Sequence, residues 1–261
     1  MAKKQTYRER YTNKIIAAGG EAPAFKEKLP RLPVDPSLQL PYAEGKIILI
    51  DKPLHWTSFD VVRKLRSTIQ IKKIGHAGTL DPLATGLLIV CTGKFTKKIN
   101  EYMAAEKEYT GHFVAGATTP TYDLESEPMD FKDYTSLTTA QIDAATAFFC
   151  GEIDQFPPIY SAIKKDGVAL YDLARRGETV ELKSRKVTIR KFKITKIDLP
   201  VIEFEVICST GTYIRSLAND FGKVLGCGAY LGSLRRTRIG HIKAEEATDM
   251  DTFIQNFSAK S

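Results

Sequence analysis

The chain has 261 residues, of which 43% are hydrophobic, and carries a formal net charge of +7, enough apolar side chains for one large domain or two small ones. Its longest apolar runs, IILI at 47–50 and LLIVC at 87–91, fall far short of the roughly 20 residues that cross a bilayer. The basic N-terminus lacks the apolar segment of a secretory signal, so a cytoplasmic protein with no membrane partner is expected, and the excess of cations favours a polyanionic partner.

The first 31 residues hold eight Lys or Arg against three Glu. Residues 1–44 include Pro23, Pro30, Pro33, Pro36 and Pro41 with little apolar periodicity, so they read as a basic, proline-containing extension. The compact domain is expected to begin near Gly45, where GKIILID (45–51) has the apolar content of a strand. A helix should follow, because Thr57 and Asp60 have capping-box spacing and Phe59, Val62, Leu65 and Ile69 fall on one face. LLIVC and YTGHFVAG (109–116) read as strands. Thr138 and Gln141 repeat the capping-box spacing ahead of a helix that ends at Gly151.

Next comes QFPPIYSAIKKDGVALYDLARRG (155–177), rich in prolines and cations. Residues 187–199 and 201–208 read as strands of a hairpin turned at Pro200, and GTYIRSLANDFGKVLG (211–226) places Ile214, Leu217, Phe221 and Leu225 on a helical stripe. There is no internal repeat. Short strands with irregularly interspersed helices predict an α+β fold with a mixed, largely antiparallel sheet flanked by helices and loops. The four cysteines, Cys91, Cys150, Cys208 and Cys227, have no metal-ligand spacing to one another or to the four histidines. Buried, reduced thiols and no metal are expected.

GHAGTLDPLATG (75–86) sets one aspartate among three glycines, a histidine and a proline. Asp81 precedes Pro82, which disfavours helical backbone at Asp81, and Gly75, Gly78 and Gly86 permit tight turns or close approach of a ligand. From the residues alone, a plain turn and a held carboxylate both remain open.

In its wider setting this stretch resembles the catalytic motif of the TruB family of tRNA pseudouridine synthases. DKP (51–53), KEY (107–109), the 155–177 stretch, GTYIRSLANDFG (211–222) and LRR (234–236) match family motifs in the family's order. The resemblance implies the pseudouridine synthase fold, with a catalytic domain at 45–245, an RNA-clasping insertion near 151–180 and a short C-terminal tail at 246–261. It also implies isomerisation of uridine 55 in the T arm of tRNA to pseudouridine, moving the glycosidic bond from N1 to C5. An isomerisation needs no cofactor. It does need a carboxylate, and by the resemblance that is Asp81, acting as nucleophile or as stabiliser of a cationic sugar.

The same likeness makes Arg215 the cation that pairs with the catalytic aspartate, keeping it ionised and oriented. Tyr109 becomes the active-site tyrosine, stacking on the extruded base and placed to take a proton from C5. His76 is matched to the histidine that fills the space left by the flipped base, Lys52 to a position beside the base, and Tyr213 and Leu234 to the pocket lining. Lys164, Lys165, Arg175 and Arg176 suit phosphate contacts.

The chain departs from the family in two places. Many relatives have TDT and a further Asp where TPTYD (119–123) stands, so only Asp123 is carried over. Many also continue into a C-terminal RNA-binding (PUA) domain, for which the residues after Gly240 are too few, and the basic N-terminal arm is expected to replace its contacts. A monomer needing no protein partner is expected. Two rivals are a guide-RNA-dependent synthase, which needs partner proteins, and a non-catalytic tRNA-folding module. The presence of Asp81, Tyr109 and Arg215 together argues against the second.

Overall fold

The computed structural model describes residues 34–161, 164–165, 168–169 and 182–259. In chain order the elements are helix α1 (Pro36–Glu44), strand β1 (Ile47–Lys52), α2 (Ser58–Ile69), β2 (Ile74–Ala77), β3 (Ala84–Thr92), α3 (Ile99–Ala104), β4 (Lys107–Ala115), α4 (Thr139–Thr146) and β5 (Gly151–Gln155). They continue with β6 (Lys164–Lys165), β7 (Val168–Ala169), β8 (Arg185–Asp198), β9 (Val201–Cys208), α5 (Ile214–Leu225), β10 (Ala229–Ile239), β11 (Ile242–Lys243), β12 (Thr248–Asp249) and α6 (Met250–Ser258). The fold is α+β with a mixed sheet. Among the described residues no helix is long and apolar enough to cross a membrane.

The chain divides into two compact units, one of residues 1–103 and 243–261, the other of 104–242. In the first, β1 and β2 each pair antiparallel with β3, and β1 pairs in parallel with β12. α2 forms where its cap demands. Thr57 Oγ1 accepts from the Asp60 amide at 2.9 Å and the Asp60 carboxylate accepts from the Thr57 amide at 3.1 Å, which satisfies two helix-end donors. The helix buries Val61, Val62, Leu65 and Ile69 against Ile48, Ile50, Leu88 and Val90. Phe59, expected on that face, is instead 59% exposed; the apolar stripe runs through Val61, one position round the helix from the expected line.

Both the first and the last of the described residues contribute to this core. Val34, Leu38 and Tyr42 pack against it, as do Phe253 and Ile254, while Met250 and Phe257 are buried within it. Tyr42 meets the rings of Phe253 and Phe257 edge-on, with centroids 6.5 and 5.8 Å apart. Such pairs contribute about 0.5–1.5 kcal/mol beyond their burial. Pro36 opens α1 in its first turn, where its missing N–H costs nothing.

The second unit is an antiparallel run in the order β10-β4-β9-β8-β5. The β8–β9 hairpin turns at a cis Leu199–Pro200 bond, and β6 and β7 form their own two-residue pairing. Phe113 of β4, Phe192 of β8, Phe204 of β9 and Phe221 of α5 meet ring to ring, which lays α5 against one face of the strands. The α4 capping box is present, with the Thr138 hydroxyl accepting from the Gln141 amide at 3.3 Å. Of the cysteines expected to be buried, Cys91, Cys208 and Cys227 are, but Cys150 is exposed; it follows the last turn after α4, where the chain comes back to solvent.

Candidate active site

In the first unit the glycine-rich stretch forms the connection from β2 to β3, with His76 on β2 opposite Val90. Gly78 turns the chain with φ +85°, a conformation that suits glycine. Leu80 is then anchored at both backbone atoms: its amide donates to Ser58 Oγ at 2.8 Å and its carbonyl accepts from the same hydroxyl at 3.2 Å. Ser58 is buried at the start of α2, so the first residue of the helix fixes the residue preceding the aspartate. The Ala84 amide donates to the Asp81 carbonyl at 3.0 Å and the His55 amide to the Pro82 carbonyl at 2.8 Å. These bonds lock the backbone of the Asp-Pro turn. The Asp81 side chain is half-buried.

Lys52 lies beneath this turn, fully buried. Its ammonium donates to the carbonyls of Trp56 at 2.6 Å, Pro53 at 3.0 Å and Pro82 at 3.4 Å. A lysine has three donors and no acceptor, so one charge ties the end of β1, the following turn and the aspartate loop together. Burial, followed by repulsion from Lys52, holds the His55 imidazole below its usual pKa.

The second unit carries the other matched residues. Tyr109 lies on β4, opposite Arg236 on β10 and Val206 on β9. Arg236 is 1% exposed, and its guanidinium hydrogen-bonds the Tyr109 phenol. Lys107, two residues before Tyr109 and so on the same face of the strand, is also buried and donates to the Ala105 carbonyl at 2.6 Å. Its pKa falls to about 8, first because of burial and then because of the charge on Arg236. Leu234 stands opposite Gly111, where any side chain on residue 111 would collide with the Ser233 carbonyl.

Arg215 sits in the first turn of α5, 5% exposed. Its Nη1 donates to the Tyr160 carbonyl at 3.0 Å and the Thr121 carbonyl at 3.3 Å, and its Nε lies 3.7 Å from Asp123 Oδ2. Asp123 is buried and accepts the Glu125 amide at 3.0 Å. The chain reaches it through a turn in which the Tyr122 amide donates to the Thr119 carbonyl at 3.1 Å. Pro120 occupies the second position of that turn, which favours proline, so the departure from TDT is accommodated by the backbone.

Two residues that the sequence did not single out hold Tyr213. The buried Gln155 accepts the Tyr213 amide at 2.8 Å and donates to its carbonyl at 3.0 Å, and the Arg185 guanidinium lies 4.7 Å from its ring centre. Ser216 adds a bond to the Phe156 carbonyl at 2.7 Å. The start of the proline-rich stretch is thereby pinned to the first turn of α5 through residues 155, 156 and 160. Lys164 and Lys165 lie on β6, while Arg175 and Arg176 lie outside the described residues.

These strands and helices form a fold shared with two solved complexes. A Cbf5-Nop10-Gar1 complex superimposes with TM-score 0.66 at 28% identity over 88% of this chain, and an archaeal box H/ACA sRNP Nop10-Cbf5 complex with TM-score 0.62 at 27% over 84%. The chain spans 60% and 56% of those two chains. The class comes from the family description that the chain matches, pseudouridylate synthase, and such enzymes are isomerases.

Within the class, a model described as "TruB family pseudouridylate synthase (N terminal domain)" matches residues 66–214, and one described as "tRNA pseudouridylate synthase B C-terminal domain" matches residues 215–260. A "tRNA pseudouridine synthase B" of Flavobacterium johnsoniae is 56% identical, covering 81% of this chain and 96% of the relative. That of Phocaeicola vulgatus is 46% identical, covering 81% and 93%. The chain belongs to the TruB family of pseudouridylate synthases.

Proposed function

We propose that this protein is a stand-alone, cytoplasmic tRNA pseudouridine synthase, monomeric and free of cofactors, that converts uridine 55 of the T arm to pseudouridine. The observation that carries the reading is the Asp81 turn: its backbone is locked through Ser58, His55 and Ala84, which fixes where the half-buried carboxylate stands. A turn serving only to reverse the chain would not need a buried serine gripping Leu80 from both sides.

In this reading the target nucleotide is flipped out of its stack, at a cost of a few kcal/mol, and stacking on Tyr109 returns about 1–3 kcal/mol. His76 fills the vacated space. Asp81 attacks the sugar or stabilises its cation while the N1 bond breaks, and Arg215 keeps that carboxylate ionised. Asp123 orients Arg215, to which it is already close. Lys52 supports the loop beside the base, Tyr213 and Leu234 line the pocket, and Lys164, Lys165, Arg175 and Arg176 contact phosphates together with the basic N-terminal arm.

Pseudouridine formation exchanges the C5–H bond for the glycosidic bond, so the hydrogen leaves C5. Purified protein, alone with a T-arm stem-loop carrying tritium at uridine C5, is expected to release tritium to water in multiple turnovers. Tight binding without release would instead support a tRNA-folding module, and release only with added guide RNA and proteins would support a guided synthase.

A further inference from the structure

Burying a guanidinium is expensive unless its hydrogen bonds are met, and Arg236 is buried completely on the strand beside Tyr109. We propose that Arg236 is a positioning residue for proton transfer: its guanidinium fixes the Tyr109 phenol and favours the phenolate, which takes the proton from C5 of the re-attached base. This rests on the proposed reaction and adds to it the group that makes Tyr109 a base.

The placement is specific. Arg236 and Tyr109 are direct register partners of antiparallel strands, and the guanidinium bonds the phenol oxygen itself. A donor at that oxygen stabilises a negative charge there more than a neutral hydroxyl. Within the unit, the other ionisable groups on this face and the elements packed on it have a net cationic sum. Lys107 lies on the same strand, Cys208 of β9 opposite Lys107, and Arg215 on α5, with Asp123 beside Arg215. The Cys208 thiol, raised to about 12 chiefly by burial, is neutral near pH 7. Among the described residues, the buried groups of these elements are then three cations, Arg236, Lys107 and Arg215, and one carboxylate, Asp123, while Asp220 and Lys223 of α5 pair with each other at 2.8 Å near the surface.

The step balances without a further reactant. After the base has re-attached through C5, the C5–H proton passes to the phenolate oxygen, giving phenol. The C5–H electron pair closes the C5=C6 double bond, the N1=C6 pair moves onto N1, and N1 takes a proton from water. The phenol then returns its proton to solvent, and the resting phenolate is restored beside Arg236.

The test combines two readouts on wild type, Arg236→Gln and Arg236→Lys: the ionisation of Tyr109, followed by NMR of ring-labelled tyrosine with Tyr109→Phe assigning the signal, and the single-turnover rate against pH. Removing the cation should raise the Tyr109 titration by about 1–2 units, slow the reaction near pH 7 by roughly 10- to 100-fold and let rising pH restore it. Arg236→Lys should shift both less, with tRNA affinity within about twofold of wild type because the charge is kept. A rate loss equal at every pH, or a Tyr109 titration that does not move, would overturn the inference. Should Arg236→Gln fail to fold, Arg236→Lys decides, an unmoved titration and rate profile refuting the role. If Tyr109 titration shifts as expected but wild type makes no pseudouridine, it is the proposed reaction that fails.

Discussion

The two units differ in the kind of element that carries the group expected to do chemistry, a loop in the first and a strand in the second. In the first, the Lys52 ammonium, buried at the end of β1, donates to backbone carbonyls, and the carboxylate of interest stands half-exposed on a loop that the backbone locks. In the second, Tyr109 stands on a strand, paired with the buried Arg236 and two residues from the buried Lys107, while Arg215 is buried on a helix. A loop can place a charge at a sharp turn that no strand could offer. A strand pair fixes the angle and protonation of a ring more firmly than a loop.

The sharpest way to break this comparison is to remove the loop's charge while keeping its shape. Asp81→Asn should reduce turnover by at least about 1000-fold, since the group acts covalently or on a full positive charge, while tRNA affinity in a filter-binding assay stays close to wild type. Near-normal turnover would remove Asp81 from the chemistry.

Lys52→Met addresses the support beneath the loop. It removes this donor from the part-buried carbonyls of Pro53, Trp56 and Pro82, of which Pro82 keeps the His55 amide, so denaturant unfolding should show a loss of about 3 kcal/mol, at about 1–3 kcal/mol for each of the two groups left unsatisfied. Gln155→Ala tests the second unit in the same way by releasing both backbone atoms of Tyr213. About 2 kcal/mol should be lost, and KM for the stem-loop should rise more than kcat falls.

The buried lysine of the second unit should also be visible in the pH dependence of stability. Lys107 has a folded pKa lowered to about 8 from 10.5, so between these values the unfolded chain holds a proton that the folded one has lost, and stability rises with pH. The thiols of Cys91 and Cys208, raised to about 11 and about 12 from 9.0, act in the opposite direction above pH 9. Lys107→Met should therefore flatten a rise of about 1 kcal/mol between pH 8 and 9, seen in unfolding curves at the two values. A smaller and purely local loss, about 1 kcal/mol, is expected for Thr57→Ala, which removes the cap of α2 but leaves Ser58 in place.

What the sequence revealed follows the range of the interactions. Both capping boxes were legible because their partners lie three residues apart, and the β8–β9 hairpin because Pro200 marks its turn. Asp81, Tyr109 and Arg215 were legible only through their motifs, since local rules left a turn, a core tyrosine and a surface arginine equally open. Gln155 was invisible because its partner lies 58 residues away. Arg236 stands in the sequence as one of two adjacent arginines in LRR, and its burial beside Tyr109 depends on the pairing of β10 with β4. α1 was hidden by its own prolines: Pro36 and Pro41 read as punctuation, although the first is well placed at a helix start.

The most direct measurement is a position-by-position map of pseudouridine in an unmodified tRNA transcript after incubation with the purified protein alone, wild type beside Asp81→Asn. The expected result is pseudouridine at position 55 with wild type and none with the variant. A wild-type reaction that leaves position 55 as uridine, or a variant that modifies it as fast as wild type, would contradict the assignment.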